Sequence, residues 1–518
     1  MKTISRINPY LLTLAGALMI SLAGCSDEFF NRQAGDRITP EQHFQDIYDG
    51  LASMQGAIIS LQEAMPRFIM LDGLRSDMMD VTPNADQYLR EINEHSFSDY
   101  NPYLSPADFY KVIINLNEVL AHLEELAANE RELDEYTTYY ARGELLAMRA
   151  WTYFTIARLY GEVAYIEDNL TELPENLQQN VLSKEVIIDT LINQILPYIY
   201  DPTVGIERVE VHIDHYVNPK GLLGEMYLEV GDYASAAIYL KMACESYGNL
   251  GPLYKVDNSY KDAAWATMFM NAEYAQIEHF SVIPFSSVED QYNPLARWLG
   301  YGYDYVVKPS QVLVDSFMAQ IPAAGAPGDL YRGLGVTFGV DTVSKTSETN
   351  YVTENYITKY EIDQADPFSS DIILQRAGDL HLLLAEAYNR MGDETSQDYA
   401  LMLLNQGVNK ESPKPPEFAK WSRNIGIRGR VYLMPFEVSD ELTGEDRIRY
   451  IEDLIIQERA YELAFEGKRW FDLVRVAERR GEPGFLADKV AAKFEGQAQY
   501  GSIQAKLMDP ANWYLPVK

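Results

Sequence analysis

The chain is poor in cysteine, in positive charge, in long apolar runs and in enzyme motifs. Two cysteines in 518 residues cannot build the disulfide framework of a small secreted domain. Only 43 Lys and Arg stand against 77 Asp and Glu, a formal net charge of −34. A nucleic-acid binder needs a basic face to displace counterions from phosphates, and attachment to anionic lipid by charge needs a basic patch, so both classes are excluded. Beyond the first 25 residues no run approaches the ~18 apolar residues of a spanning helix. His-Glu-x-x-His, Gly-x-Ser-x-Gly and the phosphate-binding Gly-x-x-x-x-Gly-Lys are all missing. Gly333, Gly335 and Gly339 miss the dinucleotide spacing. No cofactor is expected. Hydrophobic residues make up 47% of the chain, which indicates a globular protein rather than an acidic disordered one.

What is present begins at the N-terminus. Lys2 and Arg6 form a basic n-region, and Tyr10 to Leu22 an apolar stretch too short to span a bilayer. It ends in Leu22-Ala23-Gly24-Cys25, followed by Ser26-Asp27-Glu28. This resembles the lipobox of bacterial lipoproteins, in which the cysteine is acylated and becomes the new N-terminus. Residues 1–24 are therefore expected to be a signal peptide and Cys25 the lipidation site, with stable anchoring from several acyl chains. Asp27 and Glu28 resemble the acidic export signal of Bacteroidetes surface lipoproteins, which implies an outer-membrane, cell-surface protein.

From Thr39-Pro40, a helix-start signal, the pattern is mostly helical. Apolar residues recur at three and four spacing through Phe44–Leu61, Phe109–Leu126, Ala141–Tyr160, Val186–Tyr198 and Leu222–Ser246. The same periodicity returns over Ile372–Val408 and Arg447–Arg479. Residues 249–370 between them are rich in Gly, Pro, Tyr and Asn. A weak repeat runs through the helices: Gly224, Tyr227, Gly231; then Ala385, Tyr388, Gly392; then Ala460, Leu463, Gly467. The small residue admits a neighbouring helix, the ring fills the gap on that face, and the glycine ends the helix. Ala236, Leu240 and Ala243 then form a stripe with tetratricopeptide-like spacing. The expected fold is mostly α: one domain over 25–518, a helical-repeat scaffold (about 40–248, 371–410 and 445–480) with a long irregular insertion (about 249–370).

Five segments in order carry a further likeness: Arg149–Val163, Lys308–Phe317 around Pro309-Ser310-Gln311, Leu374–Asn389, Glu458–Leu473, and the closing Trp513-Tyr514-Leu515-Pro516-Val517. Together, behind a lipobox, they resemble the SusD/RagB family of nutrient-binding outer-membrane lipoproteins. The resemblance implies a binding protein, not an enzyme. It implies a SusC-like TonB-dependent transporter barrel as partner, with this chain as its lid and an oligosaccharide, sometimes a peptide, held between them.

Sugar capture needs aromatic faces and planar polar groups. The foremost candidate is Arg297–Tyr305, where Trp298, Tyr301, Tyr303 and Tyr305 put four rings in eight residues between glycines. In the family the segment before the Pro-Ser-Gln motif often supplies binding aromatics, which assigns Trp298, Tyr301 and Tyr303. The resemblance implies a second candidate: family members carry an Asp near this point, before a loop that helps form the binding face, and Asp77, after Leu71–Ser76, matches it, with Tyr88, Tyr100 and Tyr103 beside Asn101 and Pro102 in the loop beyond. The family often has Trp there, and this chain has none before Trp151. Glu458–Arg475 is charged and aromatic. Arg459, Glu462, Glu466 and Arg469 are spaced to pair along a helix, so a structural role is expected. His212 and His215 alternate with apolar residues and lack further ligands, so no metal site is expected. Cys244, beside Ala243 on an apolar stripe, is expected to be a buried thiol. Peptide capture is the alternative within the family, favoured by the acidic surface. A surface glycoside hydrolase is the alternative outside it, and requires two carboxyls in one cleft.

Overall fold

The computed structural model describes residues 44, 46–129, 135–170, 180–199, 217–245, 247–248, 251–252, 260–269, 278–345, 351–362, 365–421 and 423–516. Cys25, Thr39-Pro40 and the His212/His215 pair lie outside them. Helices dominate, as expected. α1 (Ile47–Arg75) starts at Asp46, whose carboxylate accepts from the amides of Tyr48 and Asp49 while the Asp49 carboxylate caps the Asp46 amide in return. β1 (Met79–Val81) and α2 (Gln87–Asn93) follow, then α3 (Ala107–Asn129) and α4 (Glu135–Tyr160). α1 packs on α3 and α3 on α4. β2 (Glu162–Tyr165) and β3 (Asn180–Ser183) pair antiparallel and lead into α5 (Lys184–Ile195), which lies on α4.

α6 (Pro219–Glu229) and α7 (Tyr233–Cys244) form a helical hairpin, and the physics of the repeat is visible in it. Gly231 sits at φ +82°, where a side chain is strained, and Asp232 caps the next helix by accepting from the Ser235 amide. A Cβ on Gly224 would overlap Leu240, so the two helices approach as closely as backbone allows. Two short strands, β4 (Tyr247–Gly248) and β5 (Gly251–Pro252), come next. Then follow β6 (His279–Ile283), α8 (Leu295–Leu299), β7 (Val307–Pro309) and α9 (Gln311–Met318), and the hairpin of β8 (Phe338–Lys345) with β9 (Tyr351–Ile357).

β10 (Ile372–Arg376) corrects the expectation that the helical pattern resumes at Ile372. Its five residues are all buried and pair antiparallel with β6, from Ile372 opposite Ile283 to Arg376 opposite His279. A fully buried apolar run carries no alternation, so periodicity cannot tell it from the start of a helix. α10 (Ala377–Met391) begins at the next residue and ends on Gly392 in the left-handed conformation. Asp393 caps α11 (Glu394–Leu404). α12 (Ile427–Arg430), α13 (Gly444–Glu462), α14 (Arg469–Arg480), α15 (Pro483–Ala491) and α16 (Tyr500–Leu507) complete the chain. Trp513 and Leu515 are buried in the main core, whose aromatic centre is Phe68 stacked on Phe471 at 5.6 Å.

The third copy of the repeat also differs from expectation. α13 ends at Glu462, five residues before Gly467, which sits at φ +72° with Phe68 where a side chain would go. Because the helix breaks there, the charged run does not pair along one helix. It pairs mostly across elements, out of water; of the pairs that follow, Asp472 with Arg475 alone lies within a single helix. Glu462 accepts from Arg332 at 2.8 Å, Arg376 at 2.6 Å and Arg430. Glu466 takes Arg376 and Lys359, at 2.8 and 2.7 Å. Arg459 bridges Asp379 and Asp472, and Arg475 bridges Glu386 and Asp472. These carboxylates lie in the interior, where an isolated charge is prohibitive and a fully paired one is tolerated. The run is structural, as expected, by a different geometry.

Candidate ligand-binding face

β1 and β7 are 228 positions apart in the chain and pair antiparallel, Met79 opposite Pro309 and Val81 opposite Val307. This pairing joins the two candidate segments. Beyond it the Thr82 amide donates to the Val306 carbonyl at 3.0 Å, the Thr82 hydroxyl to the Tyr305 carbonyl, and Asn84 Nδ2 to the Asp304 carbonyl at 3.0 Å. Ser310 locks the far end: its hydroxyl donates to the Asp77 carbonyl and accepts from the Leu313 amide, capping α9. Ser310 of the Pro-Ser-Gln segment thus holds the loop in place.

The rings of 298–305 separate into two kinds. Trp298 is half-buried against the main core, and Tyr305 is buried with its hydroxyl donating to the Asn355 carbonyl at 2.7 Å. These two support the loop. Tyr303 is 47% exposed and meets Phe368 edge-on at 5.5 Å, and Phe368 in turn meets Tyr292 at 6.4 Å. Tyr301 lies against Tyr305 at 5.2 Å and Tyr356 at 6.0 Å. Tyr292, Tyr356 and Phe368 were not among the sequence candidates. Tyr292 lies just before the loop, while Tyr356 and Phe368 come from more than fifty residues beyond it, and the sequence signal for them is the tyrosine richness of the insertion.

Glu361 lies beneath this loop. Its Oε1 occupies the space a side chain on Gly300 would need, is shut off from water and has no hydrogen-bond partner among the described residues. Burial pushes its carboxyl up to about 7. Arg297 pairs with Asp304 at 2.9 Å, exposed, and Lys308 with Glu354 at 2.9 Å, half-buried.

The first-loop candidates divide as well. Tyr103 is half-buried with its hydroxyl donating to Asp86 at 3.3 Å, and Asp86 caps α2. Burial, helped by Asp86, pushes the Tyr103 phenol up to about 12. Tyr88 is half-buried on α2, its carbonyl taken by Asn101 at 3.0 Å, while Tyr100 projects 87% exposed. Asp77 does not join them. Both its oxygens are taken by Arg469, at 2.8 and 2.7 Å, in a buried two-point pair. Burial raises its carboxyl, but the guanidinium outweighs this and holds it below the usual range. Asp77 offers no free oxygen to a ligand, so it belongs to the scaffold.

Rings flanked by paired carboxylates and amides can stack on sugar C–H faces and hydrogen-bond hydroxyls. Among the described residues no group of three or more His, Cys, Asp or Glu is placed to hold a metal. No helix there is long and apolar enough to cross a membrane.

The chain is similar to known proteins along most of its length. The sequence model of the SusD family matches residues 326–517. SusD-like protein P2 of Formosa agariphila is 22% identical, with 89% of each chain covered. A SusD superfamily protein from Bacteroides vulgatus has the same fold, with TM-score 0.67, 18% identity, and 90% of this chain and 93% of that one covered. A laminarin-binding SusD-like protein superposes with TM-score 0.60, 16% identity, and 88% and 95% of the two chains covered.

Proposed function

We propose that the chain is a member of the SusD/RagB family of binding proteins and, from that premise, a cell-surface lipoprotein. In this reading it is anchored through Cys25, captures an oligosaccharide, and delivers it to a SusC-like TonB-dependent transporter in the outer membrane. The observation that carries the glycan reading is the ring cluster of Tyr292, Tyr303 and Phe368, partly open to water beside the Asp304–Arg297 pair. Tyr301 and Tyr356 extend it, and Asn84 ties it to the Asp86–Tyr103 pair. The lipobox supports the anchor. A neighbour of the same fold that binds laminarin supports the ligand class.

The test is a glycan array on protein starting after Cys25, with a peptide pool beside it, followed by affinities for Tyr292→Ala/Tyr303→Ala. The scale taken for each ring–sugar stack is that of an aromatic pair, about 0.5–1.5 kcal/mol. Losing both is expected to weaken binding about 5- to 150-fold with the unfolding midpoint unmoved. Unchanged affinity in the folded double variant removes this face from the reading. Glycan silence with salt-sensitive peptide binding replaces glycan capture by peptide capture. Co-purification of a TonB-dependent barrel with the lipidated chain tests the partner.

A further inference from the structure

The face has a sign. On the two segments that build most of it, 284–310 and 351–370, the basic residues are Arg297, Lys308 and Lys359. Lys359 is fully buried and held by Glu466 at 2.7 Å. Arg297 and Lys308 are each already paired with a carboxylate. Among the described residues of these segments stand six acids: Asp304 and Glu354 are the partners of Arg297 and Lys308, Glu361 is buried with its carboxyl pushed up to about 7, and Glu289, Asp290 and Asp366 have no basic partner on these segments. The carboxylates sit at the rings themselves. Asp290 accepts from the Tyr292 hydroxyl at 3.1 Å, and Asp366 accepts from Ser287 and Ser369 two residues before Phe368.

The phenols register the same field. Tyr292 is pushed up by its bond to Asp290, with Asp366 adding to it. Burial pushes Tyr356 up, and Glu361 and Asp341 push it further. No cation counters either shift. Tyr153 and Tyr160, in the core, each have arginines that do.

We infer that this face takes uncharged glycan chains and excludes polyanionic ones, such as polyuronates and sulfated polysaccharides. The inference rests on the glycan reading above. A ligand carboxylate or sulfate laid on these rings meets several carboxylates within about one Debye length (~8 Å at physiological salt), while Arg297 and Lys308 are each held by a carboxylate and Arg90, beside the Asn84 contact, is turned onto the Thr82, Pro83 and Ala85 carbonyls. Sugar hydroxyls meet no such penalty, and the paired carboxylates still accept from them.

The test measures binding of neutral laminarin and maltodextrin oligosaccharides and of alginate and carrageenan oligosaccharides, at low and at physiological salt. Neutral chains are expected to bind with little salt dependence, and polyanions at least about tenfold more weakly, the gap widening as salt falls. Asp290→Asn/Asp304→Asn removes two carboxylates and frees Arg297, and is expected to narrow the gap between alginate and neutral chains. A polyanion that binds as tightly as the best neutral chain at low salt overturns the inference and leaves the glycan reading standing. A gap unchanged in the double variant also overturns it. Binding of neither class, on these probes and on the array, brings down the glycan reading itself and this inference with it.

Discussion

Asp77 gives the sharpest test of what is scaffold and what is site. By position it is a candidate for ligand contact; by geometry it is half of a buried ion pair with Arg469, 392 residues away. The two contacts, 2.8 and 2.7 Å, bind the turn after α1 to the start of α14, and neither side chain exposes more than 10% of its surface. Removing one partner of such a pair leaves the other charge buried, at a cost of about 3–5 kcal/mol. For a cooperative unit of this size the unfolding entropy is about 1 kcal/mol per kelvin. Asp77→Ala is therefore expected to lower the thermal midpoint by about 3–5 °C. Removing both charges in Asp77→Leu/Arg469→Met is expected to cost less than the sum of the single changes, because no orphan charge remains. The assay is calorimetry on wild type, both single variants and the double, with glycan affinity measured on each. Affinity should hold wherever the protein is folded. An Asp77→Ala protein with an unmoved midpoint and lost binding refutes the reasoning and returns Asp77 to the ligand.

The buried carboxylates predict the response to acid. Burial alone raises Glu386, Asp379 and Glu462, but guanidinium partners, joined at Asp379 by Lys468, hold all three below their ordinary values. Their stabilisation is thus complete above the unfolded pKa of about 4 and is lost as pH falls below it; fluorescence-detected unfolding across pH 2 to 6 should show a steep cooperative loss there. Asp72 acts in the opposite sense. Burial raises it to about 7, so its contribution is full below pH 4 and lost as pH rises through 7, and Asp72→Asn should remove that fall from the pH 4 to 7 limb of the stability profile. Gly224→Val should destabilise by about 1–3 kcal/mol, because its side chain must displace Leu240; denaturant titration reads this directly. Cys244 is buried, its thiol pushed up by loss of solvent, so native protein should resist iodoacetamide that labels it fully in urea.

Local physics made the scaffold legible. The α6/α7 and α10/α11 hairpins follow from a small residue, a ring and a glycine, each acting within a turn or two of its own position. The burial of Cys244, Trp513 and Leu515 likewise follows from apolar stripes. The site was legible only in part. Trp298, Tyr301 and Tyr303 share one segment, yet nothing local separates Trp298, half-buried on the core, from the exposed Tyr303.

By itself the sequence determined the family resemblance, the helical class, the acidic balance and the place of the aromatic loop. All of these rest on composition, periodicity or contiguous motifs. Only the tertiary structure decided that Ile372–Arg376 is a strand, since its partner β6 lies some ninety residues upstream. It alone placed Tyr292, Tyr356 and Phe368 among the rings of the loop. It also assigned Asp77 to Arg469. A carboxylate's role depends on which charge faces it in space. With 77 acids and 43 bases in the chain, spacing along the sequence cannot choose the pairs.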